Sequence, residues 1–129
     1  MPITFIPKRG AILMCDFDMA FVPPEMIKFR QAVVLSVQGM NHRHGTGPGL
    51  CTVIPFSTVP PATPGIDDIF FPAGSYRSLK KDSWAKCRMV CTMSHDRLDL
   101  VRGLRRTEFL SPHDMVDIET AVSYVLGIP

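Results

Sequence analysis

The chain has 129 residues, 46% of them hydrophobic, with a formal net charge of +2. That length suits one domain, residues 1–129, with one core, and that composition excludes a disordered chain. The small net charge excludes a uniformly basic or acidic protein and leaves the placement of charge to speak for partners.

Residues 11–17 (AILMCDF) form an apolar run too short for a typical helix, opened by Gly10, and predict a largely buried strand. Pro23-Pro24 then breaks ladder pairing and stiffens a loop over 18–29. Residues 31–37 (QAVVLSV) are continuous and β-branched, as in a central strand. Glycines and Pro48 mark 39–49 as a loop, and 50–56 (LCTVIPF) read as the next strand. Pro55 near its end points to an edge or a bulge. A proline-rich connection (VPPATPG) follows, then a short strand at 69–71 and a basic, turn-like stretch at 73–82. Residues 84–93 (WAKCRMVCTM) alternate imperfectly and read as one strand. Residues 95–102 read as a turn or short helix, and 104–109 as a last short strand.

The C-terminal helix has the fullest signature. Ser111 is an N-cap, Pro112 takes the first helical position and Asp114 sits at N3. Met115, Ile118, Val122, Val125 and Leu126 repeat at helical spacing, and Gly127 suits the residue past the end. This amphipathic helix is a lid for a small sheet or barrel.

From Arg77 to Arg106, nine Lys/Arg stand against three Asp; from Glu108 onward there are four acids and no Lys or Arg. Such a basic segment suits a phosphate backbone or an acidic peptide. Cys15, Cys51, Cys87 and Cys91 mostly sit in apolar runs and are expected as free thiols, not as a disulfide framework. No apolar run is long enough to cross a bilayer and no secretory signal pattern opens the chain, so a cytoplasmic location is expected.

The ordered set G-x5-DFD from Gly10, Glu25-x4-Arg30, AVVLS, GLCTVIPFST and a Ser-Pro-led final helix resembles the MazF/PemK/Kid toxins. These are the toxin halves of bacterial type II toxin–antitoxin pairs, and the resemblance covers most of the chain. It implies an α+β, mostly β fold: a small SH3-like β-barrel with a C-terminal α-helix packed on it, working as a homodimer. It implies an endoribonuclease that cuts single-stranded RNA at short sequence motifs, with neither metal nor cofactor. It also implies a cognate antitoxin whose acidic tail occupies the RNA groove.

By this resemblance Arg30 matches the catalytic arginine, and Ser57, after Pro55-Phe56, matches the catalytic threonine. Glu25 matches the glutamate of the preceding loop. Pro23, Pro24, Glu25 and Met26 stand where the family has Gly-Ser-Glu-Gln. Lys28 replaces a glycine and Gln31 a proline. The stretch from Cys87 to Thr92 lacks the family's strand acid.

RNA carries its own nucleophile, the 2′-OH, whose attack on the adjacent phosphate needs a base, an acid and charge stabilisation. Arg30 supplies a cationic planar fork for the phosphate, and a route for proton donation to the leaving oxygen. Ser57 donates a hydrogen bond, and Glu25 is the candidate base. Lys28, Thr58, His42, Arg43, Arg77, Lys80, Lys81, Lys86 and Arg88 are candidates to line the RNA track. Phe21, Phe29, Tyr76 and Trp84 are candidates to stack on bases, with core packing favoured for Phe29 and Trp84. His95 and His113 read as turn and helix-start residues. The spacing of Cys87, Cys91 and His95 does not converge on a metal along a strand and turn. The competing reading is a CcdB-like toxin on the same barrel that binds gyrase without cutting RNA, or a degenerate interaction module.

Overall fold

The computed structural model describes residues 2–18, 22–25 and 27–129. The predicted loop residues Phe21 and Met26 lie outside them. Eight strands are seen among the described residues: β1 (Ala11–Asp16), β2 (Phe29–Val34), β3 (Leu50–Ser57), β4 (Asp68–Phe71), β5 (Ser83–Lys86), β6 (Cys91–Ser94), β7 (Leu98–Asp99) and β8 (Glu108–Phe109). One helix, α1 (Pro112–Leu126), follows. The sheet runs β4-β5-β3-β2-β1-β7, every described pairing being antiparallel.

Two long strands each serve two partners along one edge, and this curls the sheet. The first half of β3 pairs with β6 over Leu50–Val53, and its end pairs with β5 at Phe56 and Ser57. In the same way β1 pairs with β8 at Ala11 and Ile12, then with β7 at Met14 and Cys15. The result is a mostly β half-barrel with one C-terminal helix, the expected fold class.

Alternation splits the apolar residues between two faces. One face buries Ile12, Val33, Ile54, Phe56, Phe71 and Ala85 beneath Met115, Ile118, Ala121 and Val122 of α1. The other encloses Leu13, Cys15, Ala32, Val34, Val53 and Met93 with Phe17 and Leu98. Each large side chain fully buried in this way contributes about 1.5–3 kcal/mol of transfer free energy.

The helix forms where its caps dictate. Ser111 Oγ accepts from Asp114 N at 3.1 Å, and Gly127 adopts a left-handed φ of 69° at the other end. Leu126 is 55% exposed, so the buried stripe is narrower than its spacing predicts.

Four expectations change. The second strand opens at Phe29, which puts Arg30 inside the strand and not on its lip. The single strand expected over 84–93 is β5, a 3₁₀ turn (Cys87–Met89) and β6. Pro55 lies in a central strand, paired with Ala32, with no sheet edge there. It sits between the β6 and β5 ladders on the strand's other side, where no partner asks for the N–H that proline lacks. Residues 95–102 are a 3₁₀ turn (His95–Arg97) followed by β7.

Candidate active site

β2 and β3 set the frame. Their ladder pairs Val34 with Val53, Val33 with Ile54 and Ala32 with Pro55, and ends there. Continued by two residues, this register sets Arg30 opposite Ser57, side chains on the face that Ala32 and Pro55 share. Along β2 the fully buried positions of that face end at Ala32, and Arg30 and Ser57 are half-buried, Arg30 beside the core residue Cys15.

Each residue is oriented by a bond to backbone. Arg30 Nε donates to Ile27 O at 3.0 Å. Among the described residues no protein acceptor is bonded to its two terminal nitrogens, so the fork remains for a ligand. Ser57 Oγ accepts from Val59 N at 3.2 Å, which fixes the hydroxyl and leaves its proton to donate.

Arg30 lines a cleft of about 710 Å³ with Phe29, Gln31, Thr58, Lys80, Lys81 and Arg102. Among the described residues, four lining cations against one lining acid, Asp99, make the cleft electropositive. Ser57 does not line it; Thr58, the next residue, does. Phe29 is 52% exposed, so the expected core packing gives way to a place at the cleft.

Gln31 and Glu108 hold the far wall. Gln31 Nε2 donates to Ser78 O at 3.1 Å, while Ser78 donates from N and Oγ to Glu108 Oε1, each at 2.7 Å. Burial pushes the Glu108 carboxyl up. Hydrogen bonds from Ser78 and from Arg77 N outweigh it and hold the group below its usual range.

Glu25 is not brought to this cleft. Its Oε1 accepts from Val22 N at 3.0 Å, and its own N–H donates to Val22 O at 2.9 Å, so it closes the Pro23-Pro24 turn. It lines a separate groove of about 510 Å³ with Asp67, Asp68, Lys86 and Arg88. Of the three residues expected to be catalytic, register puts Arg30 and Ser57 on one face of β2 and β3, and Glu25 stands apart from them.

The remaining predicted track residues scatter. Lys80 and Lys81 share the cleft with Arg30. Lys86 is paired with Asp68. Burial pushes the Asp68 carboxyl up, but Gly65 N–H and Lys86 hold it lower than usual. Arg77 borders a third groove with Arg105 and Arg106. Lys28 is exposed with φ at 75°, and its N–H donates to Asp18 Oδ1.

Arg43 has a structural task, donating to Ile3 O at 3.4 Å beside His95. His42 packs edge-on against His44 at 5.5 Å, both exposed. His95 is a core residue, 0% exposed, with Nδ1 accepting from Gly49 N at 3.2 Å. Burial and nearby Arg43 push its pKa down. Tyr76 is taken from the stacking set: its hydroxyl donates to Asp114 and accepts from Ser111 N, which pins the start of α1.

The thiols are free and serve as small hydrophobes. Burial pushes Cys15, Cys51 and Cys87 up to about 12, so they stay protonated. Among the described residues, His113, Asp114 and Asp117 are the group whose ligand atoms lie within 4.8 Å of one another. They sit on the first two turns of α1, where Asp114 favours the helix dipole in any case.

Sequence reasoning missed Gln31, Asp99 and Arg102. Gln31 carried a signal, since it stands where the resembled toxins have proline. Asp99 and Arg102 reach the cleft through β7, a strand too short to leave a pattern. No described helix is long and apolar enough to cross a membrane.

The family described as the PemK-like, MazF-like toxin of type II toxin–antitoxin systems matches residues 8–126. The uncharacterized protein YifN of Escherichia coli K12 is 32% identical over 95% of this chain and 93% of its own. Among solved structures, MazF of Deinococcus radiodurans superposes with a TM-score of 0.70 at 18% identity, covering 95% of this chain and 98% of that one. An endoribonuclease in complex with its cognate antitoxin, from a mycobacterial species, gives 0.64 at 18% identity over 95% and 97%. At such identities the structural likeness speaks for the fold. With the family match spanning nearly the whole sequence, the chain belongs to the PemK-like, MazF-like toxins of type II toxin–antitoxin systems.

Proposed function

We propose that the chain is a toxin-type endoribonuclease that cleaves single-stranded RNA at short motifs by attack of the 2′-OH on the adjacent phosphate. The observation that carries this reading is the Arg30–Ser57 relationship: an oriented guanidinium with two terminal nitrogens to offer, and an oriented hydroxyl with a proton to donate, on the same strand face by the register of β2 and β3. In the reaction the 2′-oxygen bonds to phosphorus and the bond to the 5′-oxygen breaks. The 2′-OH proton passes to solvent and the departing 5′-oxygen takes one from water. Arg30 and Ser57 stabilise the charge that builds on the phosphoryl oxygens. Lys80, Lys81 and Arg102 hold the strand, and none of these jobs calls for a metal.

The same cations suit the acidic tail of a cognate antitoxin, and the family membership supports a homodimer acting in the cytoplasm. One observation favours a second reading. With Glu25 closing its own turn, the cleft lacks the expected base. A protein that binds without cutting, as CcdB-like toxins bind gyrase, would have no need of one.

Incubation of the purified protein with mixed-sequence single-stranded RNA in EDTA separates the two. The nuclease yields fragments with 5′-hydroxyl and 2′,3′-cyclic phosphate ends. Intact RNA across a broad set of sequences leaves the binding reading.

A further inference from the structure

The face that carries Ser57 continues across β5 and β4. Trp84 is the direct ladder partner of Ser57 on one side and of Phe70 on the other. Directly opposed residues share a face, so Ser57, Trp84 and Phe70 form one row, with Arg30 at its end by register. The opposite face of the same strands is occupied by Phe56, Ala85 and Phe71 in the core.

The two rings lie 5.1 Å apart between centroids with planes tilted by 38°. A cross-strand aromatic pair stabilises a sheet by itself, but that role does not require exposure. Phe70 is nonetheless 49% exposed and Trp84 only half-buried. Cations flank the pair along the chain: Lys80 and Lys81 come before β5, and Lys86 and Arg88 come at its end or after. Lys86 is held in place by Asp68. A polyanion laid along β5 meets Lys80 and Lys81 at one end and then a π surface, while at the other end Lys86 and Arg88 share their groove with Glu25, Asp67 and Asp68. Interleaving of this kind is how unpaired nucleic acid is commonly held. An acidic peptide would use the cations and leave the rings idle.

We infer that Phe70 and Trp84 form a stacking seat for one unpaired base of the RNA strand whose scissile phosphate lies at Arg30 and Ser57. The inference rests on the ribonuclease reading and adds to it a residue pair that fixes where the strand is cut. Adjacent strands are about 5 Å apart, so Trp84 lies one strand and Phe70 two strands from Ser57. That places the seated base within a nucleotide or so of the cut. A flat platform without hydrogen-bonding edges accepts any base and rewards area, which favours a purine.

The test uses an RNA oligonucleotide with a mapped cut and a series carrying one abasic ribose at each position in turn. Parent, Phe70→Leu and Phe70→Tyr are compared by kcat/KM, with thermal melting to check the fold and sedimentation to check assembly. Phe70→Leu should lose about tenfold or more on the intact strand, and Phe70→Tyr should stay near the parent. At one position beside the cut, removing the base should cost the parent as much as the Leu variant loses, and cost the Leu variant little further. Penalties that multiply at every position, or a Leu variant that cuts like the parent, would overturn the seat. So would a Leu variant that changes sedimentation, which would make the pair a protein contact. A parent that cuts no RNA removes the ribonuclease reading and the seat with it, whether or not it binds; cutting with multiplying penalties removes the seat alone.

Discussion

Gln31 Nε2 reaches the Ser78 carbonyl at 3.1 Å, and this bond couples β2 to the loop that carries Lys80 and Lys81. Gln31 follows Arg30 on β2, so the bond ties the strand that carries Arg30 to the loop that carries the two lysines of the cleft. Glu108 braces Ser78 from the other side.

The Gln31→Leu variant should therefore loosen the lysine wall while leaving Arg30 on its strand. The expected result is a several-fold rise in KM for RNA with kcat close to the parent, and a stability loss of about 1 kcal/mol for the lost bond. Steady-state kinetics and urea titration measure the two. An unchanged KM would show that the wall is held by Glu108 alone.

Glu108 gives the fold an acid-sensitive brace. Its carboxyl is held below the usual glutamate range in the folded chain, so the folded state binds fewer protons than the unfolded state as pH falls. Its contribution is complete above the ordinary glutamate pKa of about 4.5 and is lost as pH drops through the lower folded value. Stability measured from pH 7 to pH 3 should fall less steeply in Glu108→Gln than in the parent. Parallel curves would remove Glu108 from the acid response.

Lys28 occupies a glycine conformation. Its φ of 75° lies in the left-handed region, which costs a side-chain-bearing residue about 1–2 kcal/mol. Replacement by glycine relieves that strain and returns part of it as unfolded-state entropy. Lys28→Gly should raise stability by up to about 1 kcal/mol by chemical denaturation. A loss of stability would show that the exposed lysine chain makes up for its backbone.

Gly49 is fixed by space. A Cβ there would stand 1.9 Å from His42 O and 3.1 Å from His95 Cε1. The first contact is with backbone, and the second is with the imidazole that receives Gly49 N–H. Gly49→Ala should cost about 2 kcal/mol or more and lower the melting temperature by several degrees. A melting temperature equal to the parent's would mean that the loop yields without cost.

How much of this was legible depended on whether the controlling interaction is local. The α1 signals lie within its own residues, from Ser111 to Gly127, and the helix forms where they place it. β1 and β3 are apolar runs whose burial needs no further information. The break at Cys87–Met89 was invisible because alternation runs through it: Ala85 and Cys87 are both buried. What interrupts the strand is the arrangement of β5 and β6 along one edge of β3, which is tertiary.

The site divides in the same way. Arg30 and Ser57 stand two residues from paired positions, so strand periodicity alone puts them on one face. Glu25 stands apart from Arg30 because a local turn engages its carboxylate, whose partner is the N–H of Val22, three residues back. Phe70 had no signal of its own. Its meaning comes from the pairing with Trp84 across the ladder.

The most direct test compares the parent with Arg30→Ala and Arg30→Lys on one single-stranded RNA in EDTA, alongside binding to the same strand with a 2′-deoxy sugar at the cut. The account predicts cutting by the parent, a loss of about a hundredfold or more in Arg30→Ala, and retained binding by that variant. Arg30→Lys should recover only part of the rate, because an ammonium restores the charge without the planar fork. Arg30→Ala cutting at the parent's rate would contradict the account, and the phosphate would then have to be sought at another surface.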